Sequence, residues 1–148
     1  MPSRNIDDLQ PVVRLKAVKF IDECKKAGID VIIISTYRNY VDQEKLYAIG
    51  RIIPGKKVTN AMPGYSYHNF RVAFDFLPLV NGKADWNNIE LFKQCGDIGK
   101  KLGLEYAGDW KRFREYGLLQ FTGGLSLANF RAGRTLGDLQ TKPLTRQS

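Results

Sequence analysis

A single histidine narrows the chemistry open to this chain. His68 lies in Ser66-Tyr-His-Asn-Phe-Arg-Val-Ala-Phe-Asp75, at the end of a polar stretch, and Asp75 follows seven residues later inside an apolar run. A carboxylate in such a run has to be paired or metal-bound, because burying it alone is costly. An imidazole at a strand entrance and a carboxylate along that strand can form a hydrogen-bonded structural pair. They can equally converge on one cation, and zinc accepts both donor types. Spacing alone leaves both arrangements open. The two cysteines, Cys24 and Cys95, are far apart and form no CxxC pair. They read as reduced, semi-buried thiols that the sequence cannot pair.

The elements that must position these groups follow from periodicity. Over residues 8–27, Leu9, Val12, Val13, Ala17, Phe20, Ile21 and Cys24 recur mostly three or four apart, which predicts an amphipathic helix ended by Gly28. Val31–Thr36 is a continuous β-branched run, read as a buried strand. Asn39 starts a second helix that ends at Gly50, with Asp42 as a capping-box-like partner. Residues 51–67 read as a long loop, and a loop of that length inside a compact domain is usually functional. Val72–Leu77 alternates, with Val72, Phe74 and Phe76 on one face and Ala73, Asp75 and Leu77 on the other. Asn81-Gly82 signals a hairpin turn. A helix is expected at about 87–102, and short strands near 104–107 and 118–122. The class is α+β, with Val31–Thr36 and Val72–Leu77 adjacent in one sheet and the Leu9–Lys26 helix packed on a face of it.

The bulk properties bound the partners. A chain of 148 residues with 43% hydrophobic residues is one ordinary domain with a real core. The net charge of +8 suits a polyanionic partner, such as nucleic acid or a bacterial envelope polymer, and equally suits a merely solvated basic surface. No basic stripe interleaved with aromatics, zinc finger or RNA-binding signature is present, so no nucleic-acid partner is expected. No apolar run approaches the roughly 20 residues that span a bilayer, so no stable membrane insertion is expected. The first residues lack an apolar signal region, which places synthesis and residence in the cytosol unless something releases the protein.

Several motifs together carry a resemblance. Ser35-Thr-Tyr-Arg38, Gln43, Leu46-Tyr47-Ala48, Gly50-Arg51, Pro54-Gly55, Val58-Thr-Asn-Ala61, Gly64, and Ser66-x-His68-Asn69 through Ala73-x-Asp75 resemble the phage endolysins that are zinc-dependent L-alanyl-D-glutamate peptidases, relatives of D-alanyl-D-alanine carboxypeptidases and dipeptidases. Gly108-Asp-Trp110, Phe113 and Glu115-x-x-Leu118-x-Gln120 resemble the family's closing motif. The likeness runs over about residues 30–124. It implies a small antiparallel sheet with helices packed on it, of the LAS/hedgehog-type zinc peptidase fold. It also implies a single peptidase domain over 1–148, partly frayed from about 131, with no separate cell-wall-binding domain.

The resemblance further implies site roles. His68 and Asp75 would be zinc ligands, and Glu115 the general base. Arg38 would bind a substrate carboxylate or the developing oxyanion, with Gln43 and Ser66 beside the substrate. Asp109-Trp110 would shape the cleft wall. The family's third ligand, a histidine, falls at Leu118, and leucine cannot bind zinc. Zinc is therefore expected to be weakly held or absent, and hydrolysis of the L-Ala–D-Glu bond impaired or lost. A non-catalytic murein-binding protein and a D-Ala-D-Ala carboxypeptidase or dipeptidase stand as alternatives. A site rearranged to recruit Glu115, Asp109 or a cysteine is the lesser possibility at the metal corner. Arg71 also departs, standing where relatives often have glycine. The implied partner is bacterial peptidoglycan, met as a monomer, with the protein held in the host cytoplasm until lysis gives access to the wall.

Overall fold

The computed structural model describes residues 2–139. Helix α1 (Pro11–Lys26) begins with proline at its first position, where the missing N–H is no loss, and buries Val13, Ala17, Phe20 and Cys24 along one stripe. Strand β1 (Asp30–Ser35) follows, then helix α2 (Tyr40–Ala48), whose N-cap Asn39 accepts from the Asp42 N–H at 2.8 Å. After the long loop, β2 (Ala73–Val80) turns through Asn81-Gly82 into β3 (Lys83–Ala84). Both turn residues have positive φ, 51° and 76°, as a two-residue hairpin of right-handed twist requires. Helix α3 (Ile89–Lys101), β4 (Glu105–Tyr106), β5 (Leu118–Gln120) and the short α4 (Leu127–Arg131) follow.

The strands form one antiparallel sheet in the order β1-β2-β5-β4, with β3 paired to β2. β1 and β2 are neighbours and α1 packs against them, as the apolar patterns require. A register shift between Ile33 and Ser35 brings Ser35 opposite Asp75. Such bulges re-aim side chains beside functional sites.

Phe20 of α1 meets Phe74 and Phe76 of β2 with ring centroids 5.8 and 5.1 Å apart, and Phe92 of α3 meets Phe76 at 5.8 Å. The core thus lies between the sheet and α1 with α3. Ala73, on the opposite face of β2, joins a separate small cluster with Ala107 and Leu118. Cys24 of α1 and Cys95 of α3 are fully buried rather than half-buried, and the neighbouring Cys95 together with burial pushes the Cys24 thiol's pKa up.

The chain past α4 is tied down as far as it is described. Leu136 is buried, and its N–H donates to the Gln10 side chain at 3.0 Å. The remaining expected tail, residues 140–148, lies outside the described residues. Among the described residues no helix is long and apolar enough to cross a membrane.

Two glycines of α3 let the helix approach the sheet. A methyl group on Gly96 would coincide with the Tyr106 ring, and one on Gly99 would come within 2.7 Å of Leu119. Gly96→Ala is therefore expected to destabilise the fold by about 1–3 kcal/mol, the usual cost of overpacking, despite alanine's better helix propensity. Urea denaturation reads this as a lower midpoint with an unchanged slope; an unchanged or higher midpoint would refute the close packing.

Candidate active site

His68 is aimed by a short 3-10 turn, Tyr67–Phe70, capped at both ends. The Ser66 hydroxyl accepts from the His68 N–H at 3.2 Å, and the Asn69 side chain accepts from the N–H groups of Ser66 and Gly64 at 3.3 and 3.0 Å. Arg71 closes the turn at φ 64°, in the left-handed region. A glycine there would avoid the roughly 1–2 kcal/mol steric cost of that conformation. The Arg71 guanidinium stacks 3.8 Å from the Tyr37 ring centroid and donates to the Asp8 carbonyl at 3.0 Å, contacts that hold the strained residue in place.

The imidazole is fixed at both nitrogens. Nδ1 lies 2.9 Å from the Thr36 carbonyl oxygen, which can only accept, so Nδ1 carries a proton. Nε2 faces Asp75 Oδ1 at 3.3 Å. With Nδ1–H committed, attraction across that gap requires a proton or a metal ion between the two atoms. Pinning one ring nitrogen to a carbonyl so that the other is presented is the usual support of a metal-ligating histidine.

Arg38 follows β1 and is held from behind. Its Nη1 donates to Gln43 Oε1 at 3.0 Å, and its backbone carbonyl accepts from Asn69 Nδ2 at 2.9 Å. Gln43 is fully buried and also donates to the Ala61 carbonyl at 2.7 Å, which ties the long loop to α2. Gln43 thus sits behind Arg38 rather than in the cleft lining. Arg38 Nε is buried and has no hydrogen-bond partner among the described residues. Burial lowers the guanidinium's pKa, while Asp75, Glu115 and Asp42 oppose that shift.

A cleft of about 630 Å³ gathers Arg38, Ser66, His68, Asp75, Glu115 and Leu118, although they span eighty residues of sequence. The loop supplies one wall through residues such as Lys57, Val58 and Tyr65, and Trp110, Phe113 and Arg114 supply the other. Asp109 lies outside the lining, paired with Lys100 at 2.7 Å. Glu115 opens to the cleft, but the surrounding walls desolvate its carboxyl, and with Asp75 nearby its pKa is raised; His68 and Arg38 partly offset this. Two residues that stand in the quoted motifs receive no role from the sequence. Asn69 knits the turn to Arg38, and the Ser66-x-x-Asn69 spacing is its capping signal. Gln120, 2% exposed in the cleft floor, leaves Oε1 without a partner among the described residues, and nothing in its strand pattern marks it. A second hollow of about 470 Å³ behind the His68 turn is lined by Tyr37, Phe70, Arg71 and Phe130, with no carboxylate, imidazole or thiol in its lining.

The donor set does not fit a catalytic zinc. Such a site takes three protein ligands and keeps one position open. His68 and Asp75 offer two, and the residue directly opposite Asp75 in the β2–β5 register is Leu118, 6% exposed, which offers no donor. Among the described residues no group of three His, Cys, Asp or Glu side chains is placed to hold a metal.

The profile of the VanY family, D-alanyl-D-alanine carboxypeptidase, matches residues 7–116, and the chain belongs to that family of zinc peptidases. It is 36% identical over 124 residues to the peptidoglycan L-alanyl-D-glutamate endopeptidase CwlK of Bacillus subtilis (strain 168), covering 74% of this chain and 71% of that one. It is 40% identical over 60 residues to the L-alanyl-D-glutamate peptidase of Escherichia phage T5, covering 36% of this chain and 44% of the relative. The fold superposes with a TM-score of 0.64 on the L-Ala D-Glu endopeptidase ChiX of Serratia marcescens, at 14% identity, over 82% of this chain and 89% of that one.

Glu115 makes the cost of the cleft measurable. Its carboxyl has a raised pKa in the fold, so its contribution favours folding most fully below the ordinary carboxylate value and fades as pH rises through the raised one. Glu115→Gln removes that titration. The variant is expected to melt above the parent at pH 7, with the gap closing as pH falls below about 4. A gap that is constant from pH 3 to pH 8 would show that the carboxylate is not strained by its surroundings.

Proposed function

We propose that this chain is a peptidoglycan-directed member of its family. In this reading it seats the L-alanyl–D-glutamyl junction of a stem peptide in the Arg38–His68–Asp75–Glu115 cleft and, as it stands, hydrolyses that junction slowly or not at all. The observation that carries the reading is the pairing of a complete set of polar groups with a hydrocarbon at one corner. Arg38 keeps a buried, unpartnered Nε, which suits a substrate carboxylate. Glu115 keeps a raised pKa, which suits a proton acceptor working near neutrality. Leu118 supplies no donor where the third ligand would stand. Binding needs the first of these groups; turnover by the family's chemistry needs all three.

The names of the CwlK and phage T5 relatives support the L-Ala–D-Glu bond as the target, and the phage relative supports a bacteriolytic, endolysin-type setting. The family description supports the second reading, cleavage or capture of D-Ala-D-Ala ends. The products of a restored variant separate the two.

Leu118→His is expected to take up one zinc per chain and to gain affinity by orders of magnitude over the parent, since a third inner-shell nitrogen closes the geometry. The same variant is expected to digest purified peptidoglycan, exposing new glutamyl amino groups; release of free D-alanine instead would favour the carboxypeptidase reading. Adding Glu115→Gln should abolish digestion while leaving zinc bound. A parent chain that already binds zinc stoichiometrically and lyses walls would overturn the proposal, as would a Leu118→His variant that binds no better than the parent.

Capture of peptidoglycan by the +8 parent is expected to weaken from low to high salt, because exposed charges are screened over about 8–10 Å near physiological ionic strength. Salt-insensitive co-sedimentation would remove charge from the account of binding.

A further inference from the structure

The outer lip of the cleft, residues 107–115, is a closed and rigid turn. The N–H groups of Trp110 and Glu115 both donate to the Ala107 carbonyl at 3.2 Å, and Arg114 Nε donates to the Trp110 carbonyl at 2.9 Å. Within it Phe113 has φ 55°, a left-handed conformation that a bulky side chain adopts only at a steric cost. That cost is not offset by burial in the core, because Phe113 is 63% exposed. Its ring lines the cleft beside Trp110 and Arg114, and the Arg112 guanidinium lies 5.6 Å from its centroid. A pinned backbone therefore displays an aromatic face, flanked by guanidinium donors, at the mouth of the candidate active site.

We propose that the Trp110–Phe113 lip is a sugar subsite that takes the N-acetylmuramyl ring from which the stem peptide hangs. The proposal rests on the L-Ala–D-Glu reading given above. A pyranose offers an apolar C–H face to an aromatic ring and a rim of hydroxyl and acetamido oxygens to guanidinium donors, so the lip matches its chemistry. The spacing matches as well. Phe113 is two residues from Glu115, at most about 7 Å between Cα atoms. The L-Ala–D-Glu bond is separated from the sugar by one alanine and a lactyl unit, again about 7 Å by the same reach per unit. A D-Ala-D-Ala end lies several residues further out, more than about 10 Å from the sugar, so a chain seating that end at Glu115 would leave the lip empty.

The test is calorimetric titration of the full chain, in the presence of EDTA so that no ligand is consumed. Two probes are compared: the stem tetrapeptide capped by an N-lactyl group, and the same tetrapeptide carrying N-acetylmuramic acid. The parent is expected to bind the muramyl form about two- to tenfold tighter, the range of an aromatic stacking contact. Phe113→Ala should bring the ratio of the two affinities to about one, with an unchanged circular dichroism spectrum showing that the variant is folded. Phe113→Tyr should keep the increment. Equal affinity of the parent for both probes overturns the subsite and leaves the stem-peptide reading standing. An increment that survives Phe113→Ala, or a lactyl peptide that weakens in step with the muramyl form, also overturns it, the latter by assigning the lip to peptide. Binding of neither probe overturns both the subsite and the reading on which it rests.

Discussion

The geometry of the cleft depends on the register of β2. Asp75 lies between two partners at once, Ser35 of β1 on one side and Leu118 of β5 on the other. Because side chains alternate along a strand, a slip of one residue in either pairing would turn Asp75 into the Phe20–Phe74–Phe76 core and bring a phenylalanine to the cleft. The aromatic packing of α1 on β2 therefore fixes the chemistry as well as the fold. Burying Phe74 and Phe76 under Phe20 holds Asp75 on the opposite face, within reach of the imidazole that the Ser66–Asn69 turn delivers. The bulge after Ile33 completes this by carrying β1 out toward Thr36, whose carbonyl orients the imidazole.

Leu118 changes what that register produces. A donor opposite Asp75 would form the third corner of a metal site; a leucine instead packs on Ala73 and Ala107. Burying its side chain favours folding by ~1.5–3 kcal/mol, whereas a two-donor site can recover little from a metal. On the proposed reading, this position draws its stabilisation from packing where a ligand would draw it from a metal. The neighbouring polar groups still carry the cost of their arrangement: burial opposes the charge on Arg38, and desolvation opposes the charge on Glu115.

The order of elements was legible in the sequence because each carried its own period: the Val13–Ala17–Phe20–Cys24 stripe for α1, the β-branched run for β1, and the alternation around Asp75 for β2. Asn81-Gly82 was equally plain, since few residues tolerate two successive positive φ angles. His68 and Asp75 were found by type, as the one imidazole and a carboxylate in an apolar strand. Less local facts were hidden. The thiol contact between Cys24 and Cys95 depends on how α1 and α3 cross, which no spacing encodes. Gln43 looked like a pocket residue and is a buried strut, because its neighbours come from the loop at Thr59–Ala61 rather than from its own helix. Gln120 stands in the closing motif but drew no role, because a lone polar residue at a strand end is ordinary until the cleft is seen around it.

On the proposed reading, binding and turnover would occupy different parts of this cleft, and that separation would let one survive loss of the other. The groups that would hold a ligand are anchored by contacts independent of any metal: Arg38 by Gln43 and Asn69, the loop by Gln43 and Arg51, and the Trp110–Phe113 lip by the Ala107 carbonyl. None of these hydrogen bonds involves Leu118, although Ala107 and Trp110 pack in its cluster. The corner that would activate water is instead concentrated in His68, Asp75 and position 118, where three side chains must all be donors. Removing one donor from a concentrated site abolishes its function, whereas a distributed set of anchors keeps its shape. On the proposed reading, a leucine at that corner would leave a surface able to recognise the wall polymer, with the chemistry for cutting it one side chain from complete.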